Sequence, residues 1–163
     1  MTRQFSALSD VLETAWQHAS ATVAERPSVP EVIDDVQGLA DTRHDDTERA
    51  RDRRDRECER LIVRICATNL PSGIIERGQL KTEIAGVYTQ VAEGKGQQRH
   101  GAFGLDVQEQ AGVQSMKRWG IGFPAGQCEK KLHESMRLPA GHAERERRGA
   151  AGYLALWLVA EAS

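Results

Sequence analysis

The stretch GAAGYLALWLVA, residues 149–160, is apolar on almost every side. A helix of that kind has no flank suited to water, so it has to run through the middle of a domain with other elements laid around it. The rest of the chain offers such elements. Phe5, Leu8, Leu12, Ala15, Trp16, Ala19 and Val23 recur at spacings of three and four, which draws one continuous stripe on a first helix. Pro27 and Pro30 interrupt it, and Pro30 suits the opening of a second helix whose apolar face is Val32, Ile33, Val36 and Leu39. Leu80, Ile84, Val87, Tyr88 and Val91 mark another helix, ending at Gly94 in a natural left-handed cap position. Pro124 opens a helix through about Leu138, and after RLPAG the last helix begins near His142. Gly149, Ala150 and Gly152 on that helix let a neighbouring backbone approach closely. Strand-like alternation and internal repeats are missing. The expectation is an all-α domain of five or six helices, a bundle or hairpin assembly, with a Gly-rich loop over residues 94–124.

At 163 residues the chain suits a single domain, 1–163, able to bury one core without disulfides or metal. Its 28% charged content runs above the usual share, so part of it must be strongly solvated. That part is RHDDTERARDRRDRECER, residues 43–60, where seven bases and seven acids alternate with scarcely an apolar side chain. The pattern predicts a solvated helical arm stitched by pairs such as Asp52 with Arg56, each contributing a few tenths of a kcal/mol. The arm runs into LIVRICATNL, where Leu61, Ile62, Ile65 and Cys66 dock its other end on the core.

Cys58, Cys66 and Cys128 are odd in number and form no CxxC pair, which points to a reducing cytoplasm and away from a disulfide framework or zinc knuckle. The N-terminus MTRQFSALSD is unlike a signal peptide, and no apolar run reaches the length of a membrane span. Lys plus Arg (22) and Asp plus Glu (24) nearly cancel, so there is no overall basic field for nucleic acid or an anionic membrane. The distribution is uneven. Residues 1–45 hold eight acids against three bases, and residues 94–142 hold seven bases against four acids. An anionic ligand is therefore sought in the second half.

Two stretches there combine glycine with basic residues. GKGQQRHGAFG, residues 94–104, follows a helix and lacks the GxxxxGKS/T order of a P-loop, which points away from a Walker-type site. Its glycines can still present backbone N–H groups to an anion beside Lys95, Arg99 and His100, or simply form a solvated turn. KRWGIGFPAGQCEKK places Gly120 and Gly122 before a helix N-terminus, a place that favours phosphate or carboxylate, with Lys117 and Arg118 upstream. The competing reading is that these glycines let Trp119 and Phe123 fold into the core. If the two loops meet, Lys95, Arg99, His100, Lys117, Arg118 and Lys130 surround one phosphate-bearing ligand, with Trp119 or Phe123 stacked on a base.

Catalysis is left open, and the non-enzymatic reading is preferred. Glu31 and Asp34 stand one turn apart, and Asp52, Asp55 and Glu59 share a helical face; facing carboxylates of this kind can hold Mg²⁺ for phosphoanhydride hydrolysis. All-α nucleotide pyrophosphohydrolases use ExxE and ExxD motifs in this way, but here only Glu31-x-x-Asp34 fits and an ExxE partner is missing. His18, His44, His100, His133 and His142 show no ligand spacing such as HExxH, and there is no GxSxG elbow. No cofactor is expected. A third reading is an interaction protein whose mixed-charge arm or exposed helix face binds another protein. The Gly and Ala face at 149–152 and the arm also offer surfaces for a homo-oligomer.

The succession VYTQVAEGKGQQRHG, GIGFPAGQCEKKLHES and GAAGYLALWLVAE resembles the layout of short bacteriophage and prophage proteins. The likeness covers roughly the last half of the chain and contains no activity motif. It implies a bacterial host cytoplasm and a part in counter-defence or nucleotide metabolism: sequestering a nucleotide, or blocking a host defence complex as anti-CRISPR proteins do.

Overall fold

The computed structural model describes residues 5–93 and 107–162, so Gly94, Lys95, Arg99 and His100 lie outside the described residues. Within them the protein is all-helical, with no strand and a single isolated bridge between Glu25 and Ile74. Helix α1 (Ser6–Ala19) buries Leu8, Leu12, Ala15 and Ala19, the stripe drawn by their spacing. Helix α2 (Val29–Asp41) is capped by Ser28, whose hydroxyl accepts from the Glu31 N–H at 3.3 Å, and Pro30 sits in its first turn. Helix α3 spans Glu48–Ala67, capped by Thr47, and α4 spans Arg77–Glu93. Then come α5 (Ala111–Trp119), α6 (Gly122–Ser135) and α7 (Ala140–Glu161).

Seven α-helices among the described residues correct the expected five or six. The difference lies in the supposed Gly-rich loop, whose described part, 107–124, holds a 3-10 turn (Val107–Glu109), the whole of α5 and the start of α6. Gly120 ends α5 with φ of 70° and ψ of −170°, a backbone conformation for which glycine is suited, and Gly122 is already helical. A high glycine content here marks a tight helix–helix corner.

Helix α7 is the centre of the assembly: α1, α3, α4, α5 and α6 all pack on it, while α2 lies across α3 and α6. Its Ala150, Ala151, Leu154, Ala155 and Val159 are fully buried. Burying a Leu or Val side chain favours folding by about 1.5–3 kcal/mol, so the apolar end of α7 and its neighbours dominate stability. The small-residue face is occupied within the chain by side chains and not by a neighbouring backbone: Gln90 of α4 and Lys131 of α6 lie against Gly149, and Val91 of α4 lies against Gly152.

The charged segment 43–60 lies against this body. Ala50, Arg54 and Cys58, one turn apart on α3, are buried, so only the remaining faces of its charged half are solvated. Arg54 is 5% exposed and reaches back to the α2–α3 connection. Its guanidinium donates to Thr42 Oγ1 (3.2 Å), Thr42 O (2.8 Å) and Asp45 O (2.6 Å). No described helix is long and apolar enough to cross a membrane.

Candidate functional site

The first two basic residues of the second stretch, Lys117 and Arg118, fall at the α5–α6 corner. Val113 and Met116 turn inward from α5, which leaves Lys117, Arg118 and Trp119 exposed in its last turn. Trp119 is 69% exposed, so the glycines on its C-terminal side do not fold it into the core; Phe123 is the ring that packs there. Among the described residues Lys117 and Arg118 make no ion pair. They stand beside an open groove of about 490 Å³ along α5, lined by Ala111, Gln114, Ser115, Lys117 and Arg118.

The N-terminus of α6 offers an anion little of its own. The Phe123 N–H donates to Gly120 O at 3.2 Å, Pro124 has no N–H, and the Ala125 N–H donates to Ile121 O at 3.1 Å. Gly122 alone keeps an uncommitted first-turn N–H among the described residues. A Cβ on Gly122 would meet Arg43 Cδ at 3.5 Å, ordinary contact. Lys130 lies eight residues farther along α6, about 12 Å from Gly122, and its ammonium is 3.8 Å from Glu134. The structure thus gathers Lys117, Arg118, Trp119, Gly120 and Gly122 and sets Lys130 apart.

Of the carboxylates considered for Mg²⁺, Glu31 faces an arginine, as does its neighbour Asp35. Helices α2 and α3 do pack together, but across that seam Asp35 Oδ2 lies 3.1 Å from Arg64 Nε and 3.3 Å from Arg60 Nη2, and Glu31 lies 3.8 Å from Arg64. Arg64 Nε and Asp35 Oδ2 are close yet poorly aligned for a hydrogen bond, an ion pair held by charge. Arg60 also grips Glu57 through two hydrogen bonds of 2.6 and 2.9 Å. Asp34 is exposed on the outer side of α2, and Glu59 pairs with His18 at 2.9 Å. No group of three or more His, Cys, Asp or Glu among the described residues is placed to hold a metal ion.

A polar cluster that has no sequence signature sits where α3 ends. Arg148 on α7 forks onto Glu83 of α4 at 2.7 and 2.9 Å. Asn69 donates to Glu83 and to the Glu144 carbonyl, both at 3.2 Å, and accepts from Arg147 Nε at 2.6 Å. Arg26, from the α1–α2 connection, donates through Nε to Thr68 O at 3.2 Å. Burial, and then the nearby Arg26, pull the Arg147 guanidinium below the usual arginine range. The cluster joins four segments distant in sequence.

Compared with protein-family models, curated proteins and solved structures, the chain shows no match.

Proposed function

We propose that this is a small non-enzymatic binding protein that holds a phosphate-bearing ligand, a nucleotide, at the α5–α6 corner. The observation that carries the reading is the run Lys117-Arg118-Trp119, exposed together and free of ion pairs among the described residues. Two cations suit phosphate oxygens, and an open indole face suits a base, where stacking contributes about 1–3 kcal/mol. Gly120 aims the corner, and Lys95, Arg99 and His100 belong to the same proposal, on the segment leading toward α5. Lys130 stands at its margin. The resemblance to phage proteins supports placing this binding in a bacterial host, where the protein sequesters its ligand.

The test is a fluorescence titration with nucleoside mono-, di- and triphosphates, in the wild type and in Trp119→Phe and Lys117→Ala/Arg118→Ala variants. Saturable quenching is expected in the wild type, with affinity falling at least about tenfold, or 1.4 kcal/mol, when the two charges go. Binding that survives both variants unchanged removes the α5–α6 corner from the site.

A second reading, inhibition of a host protein by direct contact, is favoured by the openness of the same groove. Trp and Arg are the side chains that most often anchor protein interfaces, and here they stand exposed in the last turn of α5. This reading expects a stable complex with a protein partner that Trp119→Ala weakens, and no heat of binding with any nucleotide.

A further inference from the structure

We propose that Arg26 and Arg147 form a two-guanidinium seat for a doubly charged oxyanion, the phosphate group of a monoester or of inorganic phosphate. The two side chains come from opposite parts of the chain and are anchored on consecutive residues at the end of α3: Arg26 Nε on Thr68 O at 3.2 Å, Arg147 Nε on Asn69 Oδ1 at 2.6 Å. An arginine held by Nε still has its two Nη groups, the donors that form a fork with an oxyanion. Among the described residues those Nη groups make no hydrogen bond, and neither arginine forms an ion pair.

Capping of a helix C-terminus explains the Nε contact of Arg26 and nothing further. It does not explain why a second guanidinium, half-buried, is brought beside the first at the cost of like-charge repulsion. Burial first, and Arg26 after it, hold Arg147 below its ordinary range. The neighbouring carboxylates do not quench the repulsion. Glu83 is already engaged by Arg148 and Asn69, and Glu144 offsets the charge on Arg147 from nearby without pairing to it. Three arginines against two glutamates leave an excess of positive charge at one polar, accessible spot. A phosphate dianion bridging two forks removes the repulsion and fills the idle donors.

This seat is separate from the α5–α6 corner. Arg26 precedes the start of α2, whereas Gly122 lies against Arg43 just beyond its end, and the 13 residues of α2 span about 20 Å.

Inorganic phosphate, titrated at constant pH and ionic strength into the full chain carrying Lys117→Ala and Arg118→Ala, tests the seat with the α5 charges removed. The side-chain N–H resonances of Arg26 and Arg147 are expected to move together along one saturating curve. Arg26→Gln in the same background is expected to abolish the movement at Arg147. Arg26 is exposed, so that variant keeps the fold even where Arg147→Gln would not. Shifts that never saturate, or that persist after Arg26→Gln, overturn the proposal. An equal response to acetate overturns it as well, by showing a seat for any carboxylate. Loss of nucleotide binding at α5 leaves these outcomes unaffected, so the two sites stand or fall separately.

Discussion

The Cβ that Gly152 lacks would lie 2.7 Å from Val91 Cγ2, closer than carbon atoms approach. Helix α7 therefore touches α4 through a position where only hydrogen fits. Alanine inside a helix is better than glycine by about 1 kcal/mol, while forcing a methyl into a packed contact costs about 1–3 kcal/mol. Because Val91 is branched and packed against the core, the clash wins at this site. Gly152→Ala is expected to lower the melting temperature by several degrees, and Gly126→Ala, with nothing within 4 Å of its added methyl, to raise it. Thermal unfolding of the two variants beside the wild type decides it; equal shifts would show that the α4–α7 contact tolerates a methyl.

Arg54 supplies the second test. It satisfies three acceptors in the α2–α3 connection from a position that is 5% exposed. Truncation to alanine leaves the Asp45 carbonyl without this donor, the Thr42 carbonyl with the Asp45 N–H alone and the Thr42 hydroxyl with its bond to Leu39 O alone, and opens a hole beside them, a loss of about 3 kcal/mol. Lysine keeps the charge but lacks the fork that reaches Thr42 and Asp45 together, so Arg54→Lys should recover only part of it. Urea unfolding curves give both values. A neutral Arg54→Ala would place this arginine in solvent.

Cys58, Cys66 and Cys128 are all free and fully buried, and desolvation pushes each thiol well above its ordinary range. A thiol-specific reagent is expected to leave the native protein unlabelled at neutral pH and to label three sites once denaturant is added. Fast labelling of any one in buffer would mean that its helix opens locally.

Much of this fold could be read from residue order because its strongest signals are local. The three-and-four spacing from Leu8 to Ala19 and the all-round apolar run in α7 each name a burial partner without knowledge of the rest. Helix α5 was legible only as one or two turns with Val113, Met116 and Trp119 inward; Val113 and Met116 do turn inward, Trp119 does not, and the flanking glycines, which usually mark loops, concealed the helix's full length. In the charged segment the alternation of sign hid the inward arginine; the weak clue was Ala50 and Cys58 four residues on either side of Arg54. Arg26 and Arg147 could not have been joined by any pattern, since what unites them is the end of α3. The exposed corner at Lys117-Arg118-Trp119 was legible as basic and aromatic, but its orientation depended on which face of α5 the core took.

Asp55 ties pH to stability with a definite sign. Its Oδ1 is buried without a hydrogen-bond partner, and burial first, then Glu161 and Glu59, raise its pKa from 3.8 to about 6. The folded state therefore holds this proton more tightly than the unfolded chain does, and the ionised carboxylate opposes folding. That penalty is absent below the unfolded value of 3.8, grows as pH rises, and is fully present above about 6. Asp55→Asn keeps the shape and removes the charge. It is expected to melt higher than the wild type at about pH 8 and to converge with it below about pH 3, where the wild-type group is neutral in both states. Melting curves across that range, read as the difference between the two proteins, isolate Asp55 from the other acids. A difference that is constant with pH would mean that Asp55 titrates as an ordinary surface carboxylate, and one that grows toward acid would mean that a cation holds it ionised.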